Sequence, residues 1–205
     1  MPKVHSEMIE NTLYIRLSDF NGDCVSGMER AVEMGTQEQA KGIVVDLRNN
    51  PGGDLNNVVK ISDMFLGEGT ILTIRSRDGQ VDTYTSDAEA VGLPLVVLVN
   101  EGSASASEVF SGAVQDHEAG VLIGERTYGK GIVQTYFPLK VRGGHLRITT
   151  SAYYTPNGRS IHEVGLTPDK IISLPAQFDG MPVSGIPHEE DSQLQAGLSV
   201  LQEQY

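Results

Sequence analysis

Leu95-Val96-Val97-Leu98-Val99-Asn100-Glu101-Gly102-Ser103-Ala104-Ser105-Ala106-Ser107-Glu108-Val109 is the stretch that decides the fold. Its first five residues are an unbroken apolar run of strand length, the pattern of a strand covered on both faces. Val109 to Val114 continue in helical style, so the serines fall where a strand passes into a helix. A nucleophile at a helix start gains from the positive end of the helix dipole, which favours the alkoxide and the oxyanion that follows. Ser105-x-x-Glu108 also has the form of a capping box, which starts a helix without any chemistry.

Outward from this junction the chain alternates strands and helices. Leu13 to Leu17, Gly42 to Leu47 and 121–124 read as strands, and Ser26 to Gln39, Leu55 to Phe65 and 105–117 as helices. Ile71 to Ser76 and Val81 to Thr85 form a predicted hairpin through Asp78-Gly79, and Val133 to Pro138 with Leu146 to Tyr153 a second one around Gly143-Gly144. The pattern predicts an α/β domain.

Serine is a poor nucleophile until a base takes its proton, and a lysine serves only if burial holds the amine neutral. Lys130 stands in Tyr128-Gly129-Lys130-Gly131-Ile132-Val133-Gln134. Its flanking glycines let the backbone turn sharply and approach a neighbouring segment closely. Ile132, Val133, Tyr136 and Phe137 are candidates for an apolar surround. Gln134 lies four positions on, about 13 Å along a regular strand, so direct contact with Lys130 requires a bend, expected at Gly131, or else Gln134 orients Lys130 only through the curvature of the loop. An acyl-transfer site also needs two donors for the oxyanion. The amide of Ala106 is one candidate. The other is Gly52 or Gly53 in the turn Asn49-Asn50-Pro51-Gly52-Gly53, which follows the apolar strand Ile43-Val44-Val45.

Four ordered segments carry a resemblance. They are Asp46-Leu47-Arg48-Asn49-Asn50-Pro51-Gly52-Gly53, then Gly102 to Glu108, then Gly124 to Gln134, and last Tyr154-Thr155-Pro156-Asn157-Gly158 with Gly165-Leu166-Thr167-Pro168-Asp169. Over roughly residues 10 to 175 the chain resembles the carboxyl-terminal processing, or tail-specific, proteases, serine peptidases with a Ser/Lys/Gln arrangement. The resemblance implies Ser105 as nucleophile, Lys130 as general base and Gln134 as the lysine's support, with the second oxyanion donor in the Pro-Gly-Gly turn. It implies the fold shared by crotonase-type and Clp-type enzymes, a twisted-sheet core of stacked ββα units. Protein or peptide substrates, with unstructured or carboxyl-terminal tails, and a periplasmic or other extracytoplasmic site of action follow from it too. Family members usually carry a PDZ domain before the catalytic core, and the first ten residues hold nothing that fits one. The expected organisation is a catalytic core over 1–175, then an exposed loop and a closing carboxyl-terminal helix over 176–205. A noncatalytic peptide-binding module on the same fold, and a crotonase-like acyl-CoA enzyme, are the alternatives. The latter typically uses an acidic base.

Composition narrows the classes further. Fifteen basic against 27 acidic residues give a formal charge of −12, which repels a phosphate backbone and argues against nucleic acid as a partner. No apolar run approaches the roughly 18 residues of a membrane span, and Met1 to Glu7 lack the apolar core of a signal peptide. Cys24, the sole cysteine, reads as a half-buried helix-start residue and permits no intramolecular disulfide. His5, His117, His145, His162 and His188 are scattered singly, so neither metal nor cofactor is expected. His117 or His162 would matter only if the fold brought one to Ser105. Leu194, Leu198 and Leu201 make a helical apolar stripe near the carboxyl end, fit for packing on the body or for a homo-oligomer contact.

Overall fold

The computed structural model describes residues 2–139 and 143–204. In chain order its elements are β1 (Val4–Ile9), β2 (Thr12–Leu17), α1 (Cys24–Gln37), β3 (Gly42–Asp46), α2 (Leu55–Phe65), β4 (Gly69–Ser76) and β5 (Val81–Ser86). There follow β6 (Leu95–Val99), α3 (Ala106–Asp116), β7 (Val121–Gly124), β8 (Ile132–Pro138), β9 (His145–Tyr154), β10 (Lys170–Ile171) and α4 (Ser192–Gln202).

The apolar runs become the centre of a six-stranded sheet ordered β1-β2-β3-β6-β7-β10. Strands β2, β3, β6, β7 and β10 pair in parallel, and β1 is antiparallel on β2. Side chains alternate between the two faces of a strand. Ile43, Val45, Leu95, Val97 and Val99 join a core that includes residues of α1, α2 and α3, whereas Val44, Val96, Leu98 and Ile123 meet Leu194, Val200 and Leu201 of α4. Both faces are covered, which is why these strands carry no polar alternation. The two predicted hairpins combine into one antiparallel sheet, β5-β4-β9-β8, against which α2 and α3 also pack. This mixed α/β architecture with two twisted sheets bears out the expected class.

A buried ion network fastens α4. Arg48, 2% exposed, donates from Nε and Nη2 to Asp46 and from Nη1 to Asp191 and Gln193, while the Tyr14 hydroxyl donates to Asp46. Asp191 also caps α4, accepting the N–H groups of Gln193 and Leu194 at 3.1 and 3.0 Å. Burial alone would raise the Asp46 carboxyl; the adjacent guanidinium outweighs it and holds the group below the usual carboxylate range.

Several expectations change. Cys24 is fully buried rather than half-buried. The segment before α4 is more than an exposed loop: three single 3₁₀ turns follow Pro175, Pro182 and Pro187, and Phe178, Val183 and Ile186 are buried. The leucine stripe of α4 faces the sheet and serves as core, the first of the two uses expected for it. Strands β1 and β10 escape the sequence pattern because β1 is only partly buried along its length and β10 has two residues.

Candidate active site

Of the serines in the β6–α3 turn, two are structural. Ser103 Oγ donates to the Leu47 carbonyl at 2.8 Å and accepts the Asn100 N–H at 3.0 Å; Ser107 Oγ donates to the Asn50 carbonyl at 2.9 Å; both are fully buried. Ser105 alone lines a cavity. Its backbone, at φ 57° and ψ −113°, is one that residues with a Cβ rarely adopt, at a cost of about 1–3 kcal/mol. A sharp strand-to-helix turn of this kind lifts a hydroxyl out of the sheet edge.

Glu108 holds this conformation. Its carboxylate accepts the Ser105 N–H at 2.9 Å, the return arm of the capping box. The same buried carboxylate accepts Thr127 Oγ1 at 2.7 Å and the N–H groups of Gly129 and Lys130 at 2.7 and 2.9 Å. The cap and the site are therefore one construction: a helix-capping acid binds the serine turn to the lysine turn. The Tyr128 N–H adds a bond to the Ser103 carbonyl at 3.0 Å. The glycines beside Lys130 act as expected, since a Cβ on Gly129 would lie 2.9 Å from Gly165 N and one on Gly131 2.6 Å from His162 N. Sequence reasoning saw Glu108 only as a local cap and missed Thr127 altogether, because their partners lie some twenty residues away in the chain.

Lys130, Gln134, Ser105, Ala106 and Gly53 line the same cavity, of about 290 Å³. Among the described residues no hydrogen bond joins Ser105 Oγ to Lys130 Nζ, and Gln134 Oε1 is buried without a partner. The β8–β9 register slips between Val133 and Gln134, where β9 carries Thr150 as an extra residue. Of the expected apolar surround, Ile132 and Val133 line the cavity, Phe137 is 44% exposed, and the Tyr136 side chain lies outside the described residues. Leu55, Val58, Ile74 and Val109 supply the remaining apolar wall.

The two glycines of the Pro-Gly-Gly turn divide their work. Gly52 N–H donates to Asn50 Oδ1 at 2.9 Å, and a Cβ on Gly52 would lie 2.8 Å from Ala106 N. Gly52 thus allows the turn to press against the serine. Among the described residues the N–H groups of Gly53 and Ala106 have no acceptor, and both residues face the cavity. Neither His117 nor His162 lines it; His117 Nε2 sits 2.7 Å from the Thr70 carbonyl. Among the described residues no group of three or more His, Cys, Asp or Glu is placed to hold a metal, and no helix is long and apolar enough to cross a membrane.

The model of peptidase family S41 matches residues 11–172. The chain belongs to peptidase family S41. A carboxyl-terminal-processing protease of Synechocystis sp. is 39% identical over 92% of this S41 chain and 43% of its own length. A carboxy-terminal-processing protease of Bartonella bacilliformis is 41% identical over 83% of the chain and 41% of its own length. Among solved structures, a photosystem II D1 C-terminal processing protease aligns with a TM-score of 0.79 and 34% identity, over 88% of this chain and 51% of that one. The chain thus spans less than half the length of these two sequence relatives.

Proposed function

We propose that this chain is the catalytic core of a serine endopeptidase acting on protein or peptide substrates, through Ser105 and Lys130 supported by Gln134. What supports this is the state of Ser105. It is the one serine of its turn that lines a cavity, it is held in a strained conformation, and it shares that cavity with one lysine and with two backbone N–H groups that have no acceptor among the described residues.

In the proposed reaction, Ser105 Oγ attacks the scissile carbonyl as its proton passes to Lys130 Nζ. The N–H groups of Ala106 and Gly53 take the developing oxyanion. Lys130 returns the proton to the leaving amine, which departs and leaves an ester on Ser105. Water then attacks that ester, giving its proton to Lys130, and the serine leaves with a proton from the same amine. Gln134 Oε1, a buried acceptor without a partner among the described residues, would orient the lysine by accepting from its N–H groups. The apolar wall of Leu55, Val58 and Val109 suits an uncharged side chain of an extended, unfolded segment.

The test is cleavage of casein by the wild type, Ser105→Ala and Lys130→Ala across a pH series, with a fluorophosphonate probe to mark the nucleophile. The expected outcome is cleavage and labelling by the wild type, loss of both in Ser105→Ala, and loss of cleavage in Lys130→Ala. Activity should rise with pH, since a proton acceptor works only once deprotonated. Labelling at another serine, or cleavage surviving in Ser105→Ala, overturns the assignment.

A further inference from the structure

Lys130 is the middle residue of a Gly-Lys-Gly segment, which has more backbone freedom than any reacting group tolerates. Glu108 fixes this segment from the helix side through the N–H groups of Gly129 and Lys130. The opposite side is fixed by Tyr153, at the inner end of β9. Its backbone N–H donates to the Gly131 carbonyl at 3.1 Å, and its hydroxyl donates to the Lys130 carbonyl. The ring is 5% exposed, and Tyr153 lines the same cavity as Ser105 and Lys130.

We propose that the Tyr153 hydroxyl is a positioning group for the base: together with the Tyr153 N–H on the Gly131 carbonyl it holds the Lys130 carbonyl, and so fixes the lysine turn in the cavity that Ser105 lines. This rests on the Ser105/Lys130 assignment. The phenol is not itself a competing base. Burial raises its titration point, the Ser105 hydroxyl lowers it, the charge of Glu108 raises it, and the net direction is upward. It keeps its proton and stays a donor wherever the enzyme works. A phenylalanine would fill the same space and lose only the oxygen, so substitution separates positioning from packing.

The experiment compares the wild type, Ser105→Ala and Tyr153→Phe as full chains, by steady-state hydrolysis of a fluorogenic peptide, fluorophosphonate labelling rate, and thermal unfolding. For Tyr153→Phe the expected result is a kcat lowered about 10- to 100-fold with KM within about twofold, as for a small misplacement of reacting groups. Labelling of Ser105 slows in parallel, and the pH of half-maximal kcat moves. Unchanged kcat and labelling overturn the inference, and so does a raised KM at unchanged kcat, which would make Tyr153 a substrate contact only. Should Tyr153→Phe fail to fold, 3,5-difluorotyrosine at 153 keeps the ring and hydroxyl while altering their hydrogen-bond strength; a changed kcat at constant KM supports the inference and an unchanged one overturns it. A wild type that neither cleaves nor labels overturns the peptidase assignment and this inference together. An active wild type with an unaltered Tyr153→Phe overturns this inference alone.

Discussion

Glu108 and Asp46 are both fully buried acids, and they join distant parts of the chain by different means. Asp46 is matched by a cation, Arg48, which reaches on to Asp191 at the start of α4. Glu108 is met by four neutral donors, the hydroxyl of Thr127 and the N–H groups of Ser105, Gly129 and Lys130. The ion network docks a helix whose backbone does no chemistry, and a few strong side-chain contacts suffice. The Glu108 cluster sets the backbone of the two turns that carry the proposed reacting groups, Ser105 and Lys130, and does so with a bond to each peptide unit involved. Charge pairing gives attachment, whereas several neutral bonds to consecutive amides give placement.

The comparison can be broken most strongly at Arg48. Arg48→Ala leaves Asp46 and Asp191 buried without their cation and should cost about 3–5 kcal/mol, read as a lowered urea midpoint. Limited proteolysis should then cut ahead of α4, while the remaining folded molecules keep fluorophosphonate labelling at Ser105. Loss of labelling at unchanged stability would show that the two regions are not separate. Glu108→Gln is the converse case. An amide offers one acceptor oxygen where the carboxylate offers two, so donors are stranded at about 2–3 kcal/mol. Peptide hydrolysis should fall at least about 100-fold through misplacement of Ser105 and Lys130. A variant that lost stability but kept its kcat would make Glu108 a fastener like Asp46.

Acid sharpens the contrast further. The Asp46 carboxyl titrates lower in the fold than in the unfolded chain, so its contribution is fully present above about pH 4 and is lost as the pH falls from there toward the folded value. Urea midpoints between pH 6 and pH 3 should decline, and Asp46→Asn should flatten that decline on top of its own constant loss. The smallest effect has the opposite sign. Ser105→Gly relieves the positive φ and should stabilise the chain by up to about 1 kcal/mol while abolishing cleavage. A destabilised Ser105→Gly would mean that the turn is unstrained.

The parts legible in the sequence were those written in consecutive residues. Leu95 to Val99 is an apolar run whose length and flanking glycine turn leave little choice of structure, and Ser105 and Lys130 stand out against their small neighbours. Which glycine amide of the Pro-Gly-Gly turn is left without an acceptor among the described residues was not legible, because it depends on the Asn50 side chain engaging the Gly52 amide and leaving that of Gly53. The register slip between Val133 and Gln134 was not legible either, because it comes from the extra residue of β9 across the ladder. Phe178, Val183 and Ile186 were passed over because prolines break their segment into single turns and erase any period. Tyr153 gave no signal at all. A tyrosine ending an alternating strand looks like core until its hydroxyl is seen to meet the Lys130 carbonyl.

The Glu108 carboxylate has one further consequence. Because the amides of Ser105, Gly129 and Lys130 share a single acceptor group, none can be exposed to water for long without disturbing the other two. Their hydrogens should exchange with deuterium at one common rate, slower than those of the exposed Asp78-Gly79 turn, and accelerate together when Glu108 is replaced. The turns of Ser105 and Lys130 then open and close as a single kinetic unit, so the chain passes between both turns in place and neither, with no population holding one alone.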